Sequence, residues 1–127
     1  MSHTSHLLVT IAAAAIVSTA ASAHPKLLTA APAPSASVAT PTSIELDFNE
    51  AVVARFSGVA VQMTDMPGMK MSAPMNIAVA PAVVDAGGKR LTAKLATPLA
   101  KGAYKVVWHA VAADTHRVAG SYSFTVK

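Results

Sequence analysis

The chain has 127 residues, a formal net charge of +4 and no cysteine. That length holds one domain and little more. The missing thiol excludes disulfide bracing, a thiolate zinc site, an ordinary iron–sulfur cluster and a blue-copper centre, which needs Cys beside its histidines.

Taken from the start, Leu7–Ala15 is apolar except for Thr10, and small residues then lead to Ala21-Ser22-Ala23. An apolar run closed by Ala-x-Ala predicts a secretory signal peptide over residues 1–23, cleaved after Ala23. Met1–His6 has no Lys or Arg, so the positive end of the leader rests on the terminal amine with His3 and His6. The rival reading is an uncleaved anchor, but Leu7–Ala23 is Ala-rich and at the short end of the roughly 17–25 residues that span a bilayer. Residues 24–127 then form a single exported domain. Its basic residues are scattered (Lys26, Arg55, Lys70, Lys89, Arg90, Lys94) and aromatics are few, which gives nucleic-acid binding little support.

In that domain Lys26–Ala31 is a first short strand, and Pro32, Pro34, Ser35 and Ser37 mark a loop. Ser43–Phe48 alternates polar and apolar with period two, as a half-buried strand should. Asn49-Glu50-Ala51 ends it. Val59–Met63 is a second alternating run. Extended character resumes over Asn76–Ala80 and Val83-Val84, Asp85–Gly88 signals a turn, and Leu91–Leu95 alternates again. Tyr104–Val111 is β-branched and aromatic, with Trp108 expected in the core, and Gly120–Val126 is the last strand. Seven or so short strands between Pro/Gly turns, without a convincing helix, predict an all-β antiparallel sandwich or barrel.

Of six methionines, one is the initiator and the rest are Met63, Met66, Met69, Met71 and Met75. Their spacing has a helical look. Pro67-Gly68 and Pro74 oppose a helix, because Pro lacks the amide donor and Gly favours turns, so the segment reads as an irregular loop. Thioethers are soft donors, and Cu(I) is the biological ion that favours several of them. The competing reading is a pliant apolar patch that packs on the core or on a partner.

Signal cleavage would make His24 the terminal residue, with a free amine beside an imidazole. Those two nitrogens close one chelate ring, and Cu(II) is the divalent ion such ligands favour most. Pro25 has no amide proton to lose, so its backbone nitrogen offers copper nothing further. An α-amine with pKa of roughly 7.7–8.0 must shed its proton to bind, so affinity should weaken as pH falls. The plain alternative is a frayed terminus where trimming stops. Asp114-Thr115-His116 lies in a loop at a sandwich end, where carboxylate and imidazole two apart can face one side. Glu50 is a further oxygen donor from another loop. His24, His116 and Asp114 or Glu50 would make a tetragonal N/O set suited to Cu(II). His109, mid-strand, is assigned a structural or surface role.

The sequence resembles the CopC-type periplasmic copper-resistance proteins over essentially the whole of residues 24–127. The resemblance is carried by His24-Pro25-Lys26-Leu27, Glu50 after Leu46-Asp47-Phe48, Phe56-Ser57-Gly58-Val59, and Met63-Thr64-Asp65-Met66-Pro67-Gly68-Met69. It continues through Gly102–Trp108, Asp114-Thr115-His116 and Gly120–Phe124. It implies a cupredoxin-like Greek-key β-barrel with Cu(II) at one end and Cu(I) at the methionine loop. The Cu(II) roles would fall to His24, Glu50, Asp114 and His116, and the Cu(I) roles to Met63, Met66 and Met69 with one or both of Met71 and Met75. Family members often place a histidine just after the third methionine; here Lys70-Met71 follows, which points to an all-thioether site. The resemblance further implies a non-enzymatic periplasmic copper carrier for copper resistance and homeostasis, passing the ion to a CopD-type inner-membrane transporter or another copper-resistance protein. Two other classes compete. One is a copper oxidase acting on polysaccharide through an N-terminal His and a second His, which the scarcity of aromatics disfavours. The other is a metal-independent β-sandwich interaction module, in which Leu would replace the loop methionines without loss.

Overall fold

The computed structural model describes residues 14–15, 24–85 and 87–127. The expected signal peptide therefore lies outside the described residues, apart from Ala14 and Ala15. Among the described residues no helix is long and apolar enough to cross a membrane.

Period-two patterning becomes strand wherever the sequence alternates. The elements are β1 (Leu27–Ala31), β2 (Ser37–Val38), β3 (Ser43–Phe48), β4 (Gly58–Asp65), β5 (Met75–Ile77), β6 (Val83–Val84), β7 (Arg90–Lys94), β8 (Gly102–Val111) and β9 (Arg117–Val126). One 3₁₀ turn, Ala54–Phe56, precedes β4. The strands form a four-stranded sheet in the order β1-β3-β7-β6 and a five-stranded sheet in the order β2-β9-β8-β4-β5. After the β4–β5 hairpin the chain crosses to the other sheet for β6 and β7, then returns as β8 beside β4. That is the connection of a Greek key. The all-β sandwich expected from the sequence is the fold observed. Two residues depart from the antiparallel rule: Ser37-Val38 pairs parallel to the end of β9. A two-residue strand has no room to show a period, so its sequence reads as loop.

The core lies between the sheets. Ile44, Leu46 and Phe48 of β3 and Leu91 and Ala93 of β7 face Val61 and Met63 of β4, Tyr104, Val106, Trp108 and Ala110 of β8, and Phe124 and Val126 of β9. Phe48 meets Trp108 edge-on with ring centroids 5.4 Å apart, and Tyr104 stacks on Phe124 at 5.5 Å. Such pairs add about 0.5–1.5 kcal/mol beyond the area they bury. Gly120 of β9 lies opposite Trp108, and a Cβ there would stand 2.6 Å from Cζ2 of the indole. A glycine is needed for this ring to lie flat on its neighbouring strand. The long strands β4, β8 and β9 give the molecule a rigid axis with a functional candidate at each end.

Candidate metal centres

At the end where β8 passes into β9, a short loop carries Asp114-Thr115-His116. The Thr115 N–H donates to the Ala112 carbonyl at 3.0 Å, and the Ala112 N–H donates to the His116 carbonyl at 3.0 Å. Thr115 takes a positive φ of 74°. Asp114 locks the turn further: its Oδ1 accepts from the His116 N–H at 3.2 Å, and its Oδ2 lies 2.8 Å from His116 Nδ1. The His116 side-chain hydrogen bond, followed by that from its backbone, holds the Asp114 carboxyl below its ordinary value. With Nδ1 committed to a carboxylate, Nε2 is the His116 nitrogen left to bind a metal. A carboxylate that fixes an imidazole in this way is the usual support of a metal-binding histidine.

The residue that comes to meet His116 is His24. Their ring centroids are 4.5 Å apart with planes tilted by 58°. Asn49, unmarked as a site residue by the sequence, makes this approach possible. Its Oδ1 accepts from the Lys26 N–H at 2.6 Å, and its own N–H donates to the Lys26 carbonyl at 3.0 Å. Pro25, buried between His24 and Lys26, anchors the same segment. The sole hint in the sequence is a turn-forming Asn directly after an alternating strand. Glu50 follows Asn49 and is half-buried. Its segment is tied to the same end by the Val52–Ala112 bridge and by the bond from the Val53 N–H to the Val111 carbonyl, 2.8 Å. The side chains stop short of a finished cage: among the described residues no three His, Asp or Glu groups are gathered closely enough to hold a metal. His109 lies on the outer face of β8 over Gly58, where a Cβ would come within 2.8 Å of its Cε1. It takes no part in this cluster.

The methionine loop leaves β4 and returns as β5. Met63 and Met75 face each other across the hairpin and close its base. Met66 and Met69 pair again around Pro67-Gly68, with the Met69 N–H donating to the Met66 carbonyl at 3.1 Å. Gly68 has φ of 77°, as position three of a type II turn demands. The five side chains are graded in exposure. Met63 is buried at 2% exposure, Met66 and Met71 pack partly against the core, and Met75 and Met69 are 47% and 63% exposed. The start of β8 supports the loop from below. Gly102 has φ of 153°, a Cβ on it would run into the Asp65 carbonyl, and Met63 Cε lies 3.0 Å from the same point. The Tyr104 hydroxyl donates to the Ala100 carbonyl at 2.6 Å and holds that corner. His116 and the methionine loop thus lie at opposite ends of β8, whose ten residues span about 30 Å.

The CopC domain family matches residues 27–127. The chain belongs to the CopC family. This CopC chain is 47% identical over 118 residues to copper resistance protein C of Pseudomonas syringae pv. tomato, covering 91% of this chain and 90% of that protein. Copper resistance protein C of Xanthomonas campestris pv. juglandis is 44% identical over 119 residues, covering 94% and 92%. Among solved structures, PcoC, a methionine rich copper resistance protein from Escherichia coli, superposes with a TM-score of 0.74 at 38% identity, covering 83% of this chain and all of that one. The function of the CopC chain is accordingly copper-related.

Proposed function

We propose that residues 24–127 act as a periplasmic copper carrier, released by cleavage after Ala23, that holds Cu(II) at one end of the sandwich and Cu(I) at the other. The observation that carries the first half is the approach of His24 to His116. Two imidazoles bound side by side to one ion at ~2.0 Å would have ring centres roughly 4–5 Å apart, and the rings here are separated by 4.5 Å. In the full chain the His24 nitrogen is an amide. Cleavage turns it into an amine, and a third nitrogen donor then appears beside the two imidazoles. Asp114 contributes chiefly through its hold on His116, and Glu50 offers oxygen from the neighbouring segment. This N/O set suits Cu(II) and completes with the terminus a cage that the side chains alone leave open.

For Cu(I), Met66, Met69, Met71 and Met75 offer sulfur at and just below the surface, with Met63 the innermost donor at the foot of the loop. The soft donor set supports this reading, as does the similarity to a methionine rich copper resistance protein. Exposed thioethers let a partner's donors displace them one at a time, which suits transfer to a CopD-type membrane transporter or another copper-resistance protein.

The deciding experiment compares protein beginning at His24 with protein that keeps Ala23. The shorter form is expected to bind Cu(II) more tightly by about tenfold or more, since only there do the α-amine and the imidazole belong to one residue and close a single chelate ring beside His116. Both should give the same far-ultraviolet spectrum. Equal Cu(II) affinity would refute the role of the terminus.

A further inference from the structure

Building on the Cu(I) reading of the loop, we propose that Met69 and Met75 form an oxidation site, where a hydroperoxide converts thioether to sulfoxide and switches Cu(I) binding off. The five loop methionines differ in exposure. Met69 and Met75, at 63% and 47% exposure, are open to a small oxidant in water, whereas Met63 at 2% is shielded by the core and by the start of β8. Met66 and Met71 are intermediate, each packed partly against the core. The loop therefore offers two reactive sulfurs and keeps one in reserve.

A sulfur lone pair attacks the terminal oxygen of the hydroperoxide; the S–O bond forms as the O–O bond breaks. Sulfur gives up two electrons, and the rest of the peroxide leaves as water or an alcohol after taking the proton. The product presents a hard, polar oxygen where a soft sulfur stood, and Cu(I) selects the soft donor. Position makes the change tolerable to the fold. Met69 sits in the Met66–Met69 turn and Met75 on the edge strand β5, both facing solvent, so a sulfoxide at either stays hydrated. The same group at Met63 would be buried without a partner in the core, a cost the fold would feel. Methionine sulfoxide reductases reverse the reaction, so the site can be reset.

The test treats protein beginning at His24 with graded hydrogen peroxide, maps sulfoxides by peptide mass spectrometry, and measures Cu(I) affinity by competition with a chromophoric chelator. Sulfoxide is expected first at Met69 and Met75, then at Met66 and Met71, and last at Met63. Protein oxidised at Met69 and Met75 alone is expected to lose Cu(I) affinity by about tenfold or more while keeping its far-ultraviolet spectrum and Cu(II) affinity. Ag(I), a soft ion that does not cycle between oxidation states under these conditions, should slow oxidation of both residues when bound beforehand. Replacement of Met69 and Met75 by Leu should remove the early sulfoxides. Oxidation of Met63 at the same rate as Met69 would overturn the inference, as would unchanged Cu(I) affinity after oxidation, with the Cu(I) reading left standing. No Cu(I) affinity in the untreated protein would overturn both.

Discussion

Asn49 and Lys26 grip each other through two hydrogen bonds, the Lys26 N–H donating to Asn49 Oδ1 at 2.6 Å and the Asn49 N–H donating to the Lys26 carbonyl at 3.0 Å. The clamp fixes the chain two residues after His24. Only the side-chain half of it depends on residue type. Asn49→Ala should therefore lower Cu(II) affinity by a factor of about 2–13, one lost hydrogen bond being worth ~0.5–1.5 kcal/mol. Cu(I) affinity, read in the same competition format, should not change.

Asp114 steers His116 and should govern both affinity and behaviour in acid. Asp114→Ala frees the ring, and loss of such a supporting carboxylate lowers metal affinity by about 10–100-fold. The acid response follows from the direction of the shift. The carboxyl is held below its ordinary value of 3.8 by the His116 hydrogen bonds, so the stabilisation it gives the loop is present above that value and is lost as pH falls through the lower, folded one. Carbon-13 NMR of the Asp114 carboxyl should place its own protonation step below 3.8. A carboxyl midpoint above that value would contradict the bond.

Separation of the two ends makes a further prediction. Met66→Leu with Met69→Leu removes the paired sulfurs of the turn and should weaken Cu(I) binding by about tenfold or more. Sites this far apart behave additively to within about 0.5 kcal/mol, so Cu(II) affinity should be unchanged. Because all the proposed Cu(I) donors are thioethers, Cu(I) affinity should also stay flat between neutral and mildly acidic pH. A steep fall in that range would reveal a titrating ligand.

Stability should respond at Gly120, where a Cβ would meet the Trp108 indole at 2.6 and 2.9 Å. Gly120→Val overfills this contact, and overpacking costs about 1–3 kcal/mol. For a domain of this size that lowers Tm by roughly 4–20 °C. Thermal unfolding followed by tryptophan fluorescence reads both the loss and the displaced ring.

Met63→Ala separates structure from metal chemistry at the foot of the loop. Truncating a fully buried methionine costs about 2–5 kcal/mol, whereas Met63→Leu fills nearly the same volume and should cost less than about 1.5 kcal/mol. The Leu variant is thus the one in which to measure how far the innermost sulfur contributes to Cu(I) affinity.

Much of the architecture is legible in the linear chain because it comes from local rules. Alternation marks Ser43–Phe48 and Tyr104–Val111 as half-buried strands, and Pro67-Gly68 announces a turn. The absence of thiols and the crowding of thioethers narrow the metal chemistry before any contact is known. Strand β2 escapes such reading because two residues carry no period and its partner, the end of β9, is remote in sequence. The depth of Met63 is partly legible, since it continues the inward set of Val61 on β4. The exposure of Met69 and Met75 is not, because it depends on where the loop leaves the sheet.

Sequence alone determined which donors this protein owns: five loop thioethers, no thiolate, and imidazoles near the proposed mature terminus and beside Asp114. Tertiary structure decided which of them meet. The approach of His24 to His116 and the Asn49 clamp join segments distant along the chain, and hairpin register sets Met63 opposite Met75. Such contacts follow from strand order and register, which depend on how the sheets pack against one another and not on any local pattern. Side-chain chemistry is a property of composition, and coordination is a property of the fold.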